Sequence, residues 1–304
     1  MACSTGRCAV FDFLISSLTI AGIYGLMALG LNIQAGYAGL LNFGNIAFAG
    51  LGAYAAGIGY SLGWPLLPSL AMGIALAMLL GLFLSSMGRK LAADYWGIAT
   101  LAVAEILRTV ATNEGWLTGG ANGISAIPSL FEGLARPWDS IAFLALVLVV
   151  LGVAAWMCSR LGNGRFGRAL RLMREEPQLA TCMGYDLKSL KTRAIMSGAA
   201  VTAIGGFLYA RYMSFAGPDY MLASETFVLW TMLMIDGIGH IAGVLTGVVV
   251  VQAAYVFVPF IKDWLHLSSD VSGALRLGLI GAILLVCLMW RSEGLVPEKL
   301  RKMP

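Results

Sequence analysis

GLNIQAGYAGLLNFGNIAFAGLGAYAAG fills residues 30–57, with glycine at 30, 36, 39, 44, 50, 52 and 57 and with Gln34, Tyr37, Asn42 and Asn45 among aliphatic neighbours. Glycine at this density lets helix backbones approach closely while weakening the helix that carries it. The amide and hydroxyl groups are penalised in an apolar medium unless they pair or meet something polar. A broken or re-entrant helix packed inside a bundle satisfies both conditions.

The rest of the chain supplies the bundle. Of 304 residues 59% are hydrophobic and 12% charged, with a mean hydropathy of +0.82, far from the roughly one-quarter charged residues of a soluble domain. This is the composition of an integral membrane protein, and nucleic-acid binding is a poor account of its formal charge of +4. The cysteines (Cys3, Cys8, Cys158, Cys182, Cys287) are scattered and the chain has two histidines, so neither a disulfide framework nor a metal site is expected. Asp12 interrupts the first apolar run and no small-residue cleavage site follows, so that run is expected to be retained.

A membrane-crossing helix needs about 20 mostly apolar residues. Nine segments approach this: 11–31, 37–60, 64–87, 92–112, 139–158, 194–213, 225–239, 241–260 and 273–291. The expected fold class is all-α, a polytopic membrane helix bundle with eight to ten crossings and broken or re-entrant glycine-rich helices, a single domain over 1–304. Residues 159–193 carry eight basic residues against three acidic ones, which makes this loop cytoplasmic. Alternating nine crossings puts Arg89, Lys90 and the tail's Arg291, Lys299, Arg301 and Lys302 on the same face. The opposite face then holds 113–138, 214–224 and 261–272.

Chemistry-bearing residues at membrane depth are few: Asp12, Glu105, Arg108, Asp236, His240 and Arg276. No nucleophile–base set, metal motif or phosphate loop is legible, so ATP, if it drives this protein, binds another chain. Glu105 and Arg108 lie three apart on one helix face, either neutralising one another or lining a solute path. Asp236 and His240 face the same choice between a structural turn and a gate. The glycine-rich break around Tyr37, Asn42 and Asn45, with Thr100 and Glu105 on the neighbouring helix, is the leading candidate for a translocation path. Gly119, Gly120 and Asn122, within LTGGANGISAIP at 117–128, form a chain of turns suited to an outer loop or gate.

Two helices can be drawn in the cytoplasmic loop. Phe166, Leu170 and Met173 define an amphipathic helix on the lipid surface. A second, 177–183, starts with Glu175, Glu176 and Pro177, ends on Gly184 and gathers Leu179, Ala180 and Met183 on an apolar side. A two-turn helix is not stable alone, so it docks on the bundle or, preferably, on a partner.

Four stretches, 30–57, YWGIATLAVAEILR at 95–108, LTGGANGISAIP at 117–128 and GRALRLMREEPQLATCMGYD at 167–186, resemble the permease subunits of ABC importers for branched-chain amino acids, related to those for urea and short amides. The resemblance covers nearly the whole chain. It implies a second related permease alongside, two cytoplasmic ABC ATPase subunits beneath and an extracytoplasmic solute-binding protein above. It implies no cofactor in this chain, with ATP and magnesium on the partners, and a bacterial inner-membrane location. The family's ATPase-coupling segment falls on Arg174, Glu175, Glu176, Ala180 and Gly184, although Thr181-Cys182-Met183 replaces the smaller residues frequent there. A urea or short-amide permease, a stand-alone secondary transporter and a channel are the alternatives.

Overall fold

The computed structural model describes residues 5–88, 93–133, 137–235 and 237–264, with isolated positions 278, 281, 282, 285 and 289. Helix α1 (Thr5–Leu31) continues into a π-helical turn (Asn32–Tyr37), the chain is non-helical over 38–45, and α2 is Ile46–Ser61. Then come α3 (Leu66–Met87), α4 (Ala93–Asn113), the single turn α5 (Gly115–Thr118) and a two-residue strand β1 (Ile124–Ser125). After α6 (Trp138–Asn163) lie the short α7 (Arg165–Glu175) and α8 (Pro177–Cys182), the long α9 (Leu187–Met213) and β2 (Phe215–Ala216). A hairpin of α10 (Ala223–Ile235) and α11 (Ile241–Trp264) follows.

Among the described residues five stretches are long and apolar enough to cross a membrane: Val10–Tyr37, Leu66–Met87, Trp138–Asn163, Leu187–Met213 and Ile241–Val258. The segments at 37–60 and 225–239 yield helices of 16 and 13 residues, about 24 and 20 Å at 1.5 Å per residue, short of a hydrocarbon core of about 30 Å. The boundary expected at residue 37 is corrected: Tyr37 closes the first helical element. Most of the ninth segment, and with it Arg276, Asp236 and the basic tail, lies outside the described residues. The all-α expectation needs one amendment, the antiparallel pair Ile124–Ala216 and Ser125–Phe215 that joins two loops.

Helix α9 is the hub, packing against α1, α2 and α3. Its sequence makes this feasible because glycine and alanine line its contact face. A Cβ on Gly206 would collide with the Ala49 backbone carbonyl, and one on Gly52 with that of Ala203. Helices α2 and α9 therefore meet backbone to backbone, where dispersion between close-packed atoms supplies the attraction that lipid denies to larger side chains. Around this seam lie fully buried Phe48, Ala199, Ala56 and Ala210.

Gly206→Val forces the two backbones apart and is expected to exceed the roughly 1–3 kcal/mol of ordinary overpacking. Detergent-solubilised yield and thermal unfolding should fall sharply, whereas Gly152→Ala, where an added methyl meets nothing, should leave both unchanged.

Candidate transport and coupling site

Outside a helix, residues 38–45 must find other partners for their backbone groups, because an unpaired N–H or C=O in a low-dielectric interior is strongly unfavourable. The neighbouring helices provide them. Phe43 N–H donates to Thr100 Oγ1 of α4 (3.1 Å), Ile46 N–H to Thr226 Oγ1 of α10 (3.3 Å), and the Asn42 carbonyl accepts from Trp230 Nε1 (3.1 Å). Gly44 N–H donates to Asn42 Oδ1 (2.9 Å). The side-chain amides then close on one another: Asn42 Nδ2 donates to Gln34 Oε1 (2.7 Å), Gln34 Nε2 to Asn45 Oδ1 (3.2 Å) and Asn45 Nδ2 to Thr202 Oγ1 of α9 (3.4 Å). Gln34, Asn45, Thr202 and Thr226 are all fully buried.

Of the five residues expected to line a path, the structure gathers Asn42, Asn45 and Thr100 in this cluster. They are enclosed and hydrogen-bonded to protein, so in this conformation they face no open route. Tyr37 lies elsewhere, against Gly162 at the α6–α7 corner with the Arg171 guanidinium 5.3 Å from its ring centre. Glu105 is also separate. Five residues beyond Thr100, it turns to the outside of α4, its side chain half exposed and in a forked ion pair with Arg108 (Nε–Oε1 2.9 Å, Nε–Oε2 3.0 Å). Sequence reasoning missed Thr202, Thr226 and Trp230, whose single polar atoms lie on distant helices and signal nothing until the fold brings them to the break.

At one end of the bundle Gly119 (φ 75°) and Gly120 (φ 63°) reverse the chain after α5, and Asn122 is exposed on the next turn. The loop is held down by the β1–β2 pair, by fully buried Ile127 and by Arg211 Nη1 donating to the Pro128 carbonyl (3.1 Å). These three residues sit apart from the amide cluster.

At the other end, α7 and α8 form near their expected limits. Leu170 and Met173 of α7 are buried and Phe166 packs against the core; the apolar face expected on lipid lies on the bundle instead. The end of α8 is a full Schellman cap. Gly184 adopts φ 83°, its N–H donates to the Thr181 carbonyl (2.9 Å), and Tyr185 N–H reaches the Ala180 carbonyl (3.1 Å). Ala180 is fully buried, whereas Leu179, Met183 and Tyr185 are exposed, so the apolar side splits into an inward alanine and an outward trio. Glu176 caps the helix start without a side-chain bond. Arg174 points inward: its Nη1 donates to the Gly36 carbonyl and its Nη2 meets Glu175 Oε1 (3.3 Å). The π-helical turn also holds Asn32, whose Oδ1 accepts from Gly239 N–H in the α10–α11 turn (3.0 Å); His240 sits in that same turn.

Asn45→Leu removes partners from both Gln34 and Thr202 and leaves buried polar atoms unsatisfied, at about 1–3 kcal/mol each. A clear drop in detergent thermal stability is expected; unchanged melting and yield would show that the amides are not a lock.

A family model for the "Branched-chain amino acid transport system / permease component" matches residues 13–288. The chain is 28% identical over 318 residues to the "Probable branched-chain amino acid transport permease protein LivM" of Methanocaldococcus jannaschii, covering 91% of each chain. It is 29% identical to the high-affinity LivM permease protein of Escherichia coli K12 (92% of this chain, 69% of that one) and 23% identical to its LivH counterpart (89% and 91%). The match takes in the broken segment, the turns at 117–128 and both short helices α7 and α8, so this multi-pass membrane protein belongs to the family of permease components of branched-chain amino acid transport systems.

Proposed function

We propose that this chain is the permease subunit of an ATP-driven importer for branched-chain amino acids in a bacterial inner membrane. The observation that carries this is the family match over 13–288. ATP and magnesium belong to two partner ATPases, and an extracytoplasmic binding protein delivers the solute.

The proposed topology has nine crossings, with the non-helical stretch 38–45 and α2 together making the second and the short α10 the seventh. The eight basic residues in 159–193 support a cytoplasmic position for α7 and α8. On that face Leu179, Met183 and Tyr185 form the exposed surface through which an ATPase engages α8. Movement of α8 passes to the membrane through Arg174, which grips the Gly36 carbonyl at the start of the break. Glu175, Glu176 and Gly184 shape the docking element, and Ala180 seats it.

A second, related permease covers α4. Its outward stripe mixes Tyr95, Ile98 and Ile106 with Glu105, Thr109 and Asn113, a surface that suits a partly aqueous interface better than lipid. The solute path accordingly runs along the Glu105 side of α4, with the amide cluster as its backing, and the outer turns at Gly119, Gly120 and Asn122 form its rim.

Deleting the chain should abolish ATP-dependent uptake of leucine, isoleucine and valine by cells or vesicles; unaffected uptake of all three would reject the function. Gly184→Val meets no neighbour, so its effect is the left-handed backbone alone, about 1–2 kcal/mol. Transport and solute-stimulated ATP hydrolysis should fall together several-fold while the complex still assembles; unaltered coupling would remove α8 from the contact.

A further inference from the structure

Between α1, α2, α9, α10 and the turn Pro218–Met221 lies a cavity of about 270 Å³ that the family relationship leaves unassigned. Its floor is apolar, formed by Met27, Ile46, Ala49 and Ala53. Its other wall carries Asp219 and Glu225 with Tyr24, Tyr209 and Tyr220, and no basic residue lines it. The tyrosines stand close, with ring centres 4.8 Å apart for Tyr209 and Tyr220 and 6.2 Å for Tyr24 and Tyr209. Among the described residues the Glu225 carboxylate accepts one hydrogen bond, from the Tyr24 hydroxyl to Oε2 (2.7 Å), which leaves Oε1 for a ligand. The helix start at α10 accounts for a carboxylate at position 225 but not for an open space beside it with an aliphatic floor.

We propose that this cavity is an amino-acid subsite within the single subunit. Glu225 and Asp219 take the α-ammonium group, the tyrosine faces flank it, and Met27, Ile46, Ala49 and Ala53 receive a branched aliphatic side chain. Cations are favoured by paired carboxylates and by aromatic faces. The volume lies just below the range of ligand pockets, which begins at about 300 Å³, and suits one small amino acid rather than a peptide or sugar chain. Burial and the adjacent Asp219 push the Tyr220 hydroxyl up to about 12, so it remains a donor for the ligand's carboxylate at neutral pH. Phe215, edge-on to Tyr220 at 5.7 Å, ties the subsite to the β1–β2 pair and so to the outer turns.

The proposal rests on the importer reading, and two separate assays keep the two apart. Equilibrium binding of radiolabelled L-leucine to the full chain in nanodiscs tests the subsite, with N-acetyl-leucine, which lacks the ammonium, as competitor. Wild type should bind leucine and ignore N-acetyl-leucine. Glu225→Gln should weaken binding by about tenfold or more, and Tyr220→Phe, which keeps the ring, should weaken it several-fold with unchanged gel-filtration behaviour. No leucine binding by wild type, equal competition by N-acetyl-leucine, or wild-type affinity in both variants would overturn the subsite. If ATP-dependent leucine uptake still requires the chain in that event, the importer reading stands without it; if uptake does not require the chain, both fall.

Discussion

Hydrocarbon offers no hydrogen-bonding partner to a peptide group, so every interruption of a helix at membrane depth must be answered by protein. The stretch from Asn32 to Asn45 is such an interruption, and the architecture around it follows from that demand. Thr100, Thr202, Thr226 and Trp230 come from three different helices, and each presents one polar atom to the break. Helices α4, α9 and α10 are thereby fixed in rotation relative to α2, since turning any of them would leave buried donors or acceptors unmatched. The glycine seam between α2 and α9 works in the same direction, because only close backbone contact brings Thr202 within reach of Asn45.

The break is also the junction between the bundle and the short helix α7. A π-helical turn leaves carbonyls off the regular ladder, and the one at Gly36 is taken by Arg174, whose stem packs on Gly39. Asn32 in the same turn receives the Gly239 N–H from the α10–α11 hairpin. Arg174 and Gly239 thus grip neighbouring residues of one irregular turn. The turn thereby joins α7, α1 and the α10–α11 hairpin through direct hydrogen bonds.

Much of this was legible in the residues, and the parts that were not have definite reasons. Glycine spacing and buried amides announced the break, and the caps at Pro177 and Gly184 placed α8 within a residue of its observed end, because local chemistry decides both features. What periodicity could not supply was which side of α4 meets which neighbour: Thr100 and Glu105 share a helix, yet one closes the break and the other faces outward. Tyr37 was assigned to the second apolar segment, 37–60, whereas the π-helical turn carries the first helix through it. The apolar face of α7 was assigned to the lipid surface and lies on the bundle, because periodicity cannot tell those two apolar surroundings apart. The two-residue strands are too short for any pattern, and they exist because the loops at 117–128 and 214–221 meet.

The distribution of polarity separates a cross-bonded centre from glycine-bearing margins. The bonds of the amide cluster share atoms: Gln34 serves both Asn42 and Asn45, and Asn45 serves Gln34 and Thr202. Such a network breaks as a unit, since losing one member strands the next in a medium where unpaired groups are costly. Any rearrangement of the bundle would therefore cost less at its margins than within it. Those margins are rich in backbone freedom, with Gly39 at φ 66° on one side and Gly237 and Gly239 at φ 101° and 100° on the other. A rigid polar centre bounded by left-handed glycines keeps the break off lipid, and two of those glycines lie at the contacts that join the break to its surroundings: Gly39 against the Arg174 stem and Gly239 on the Asn32 amide oxygen.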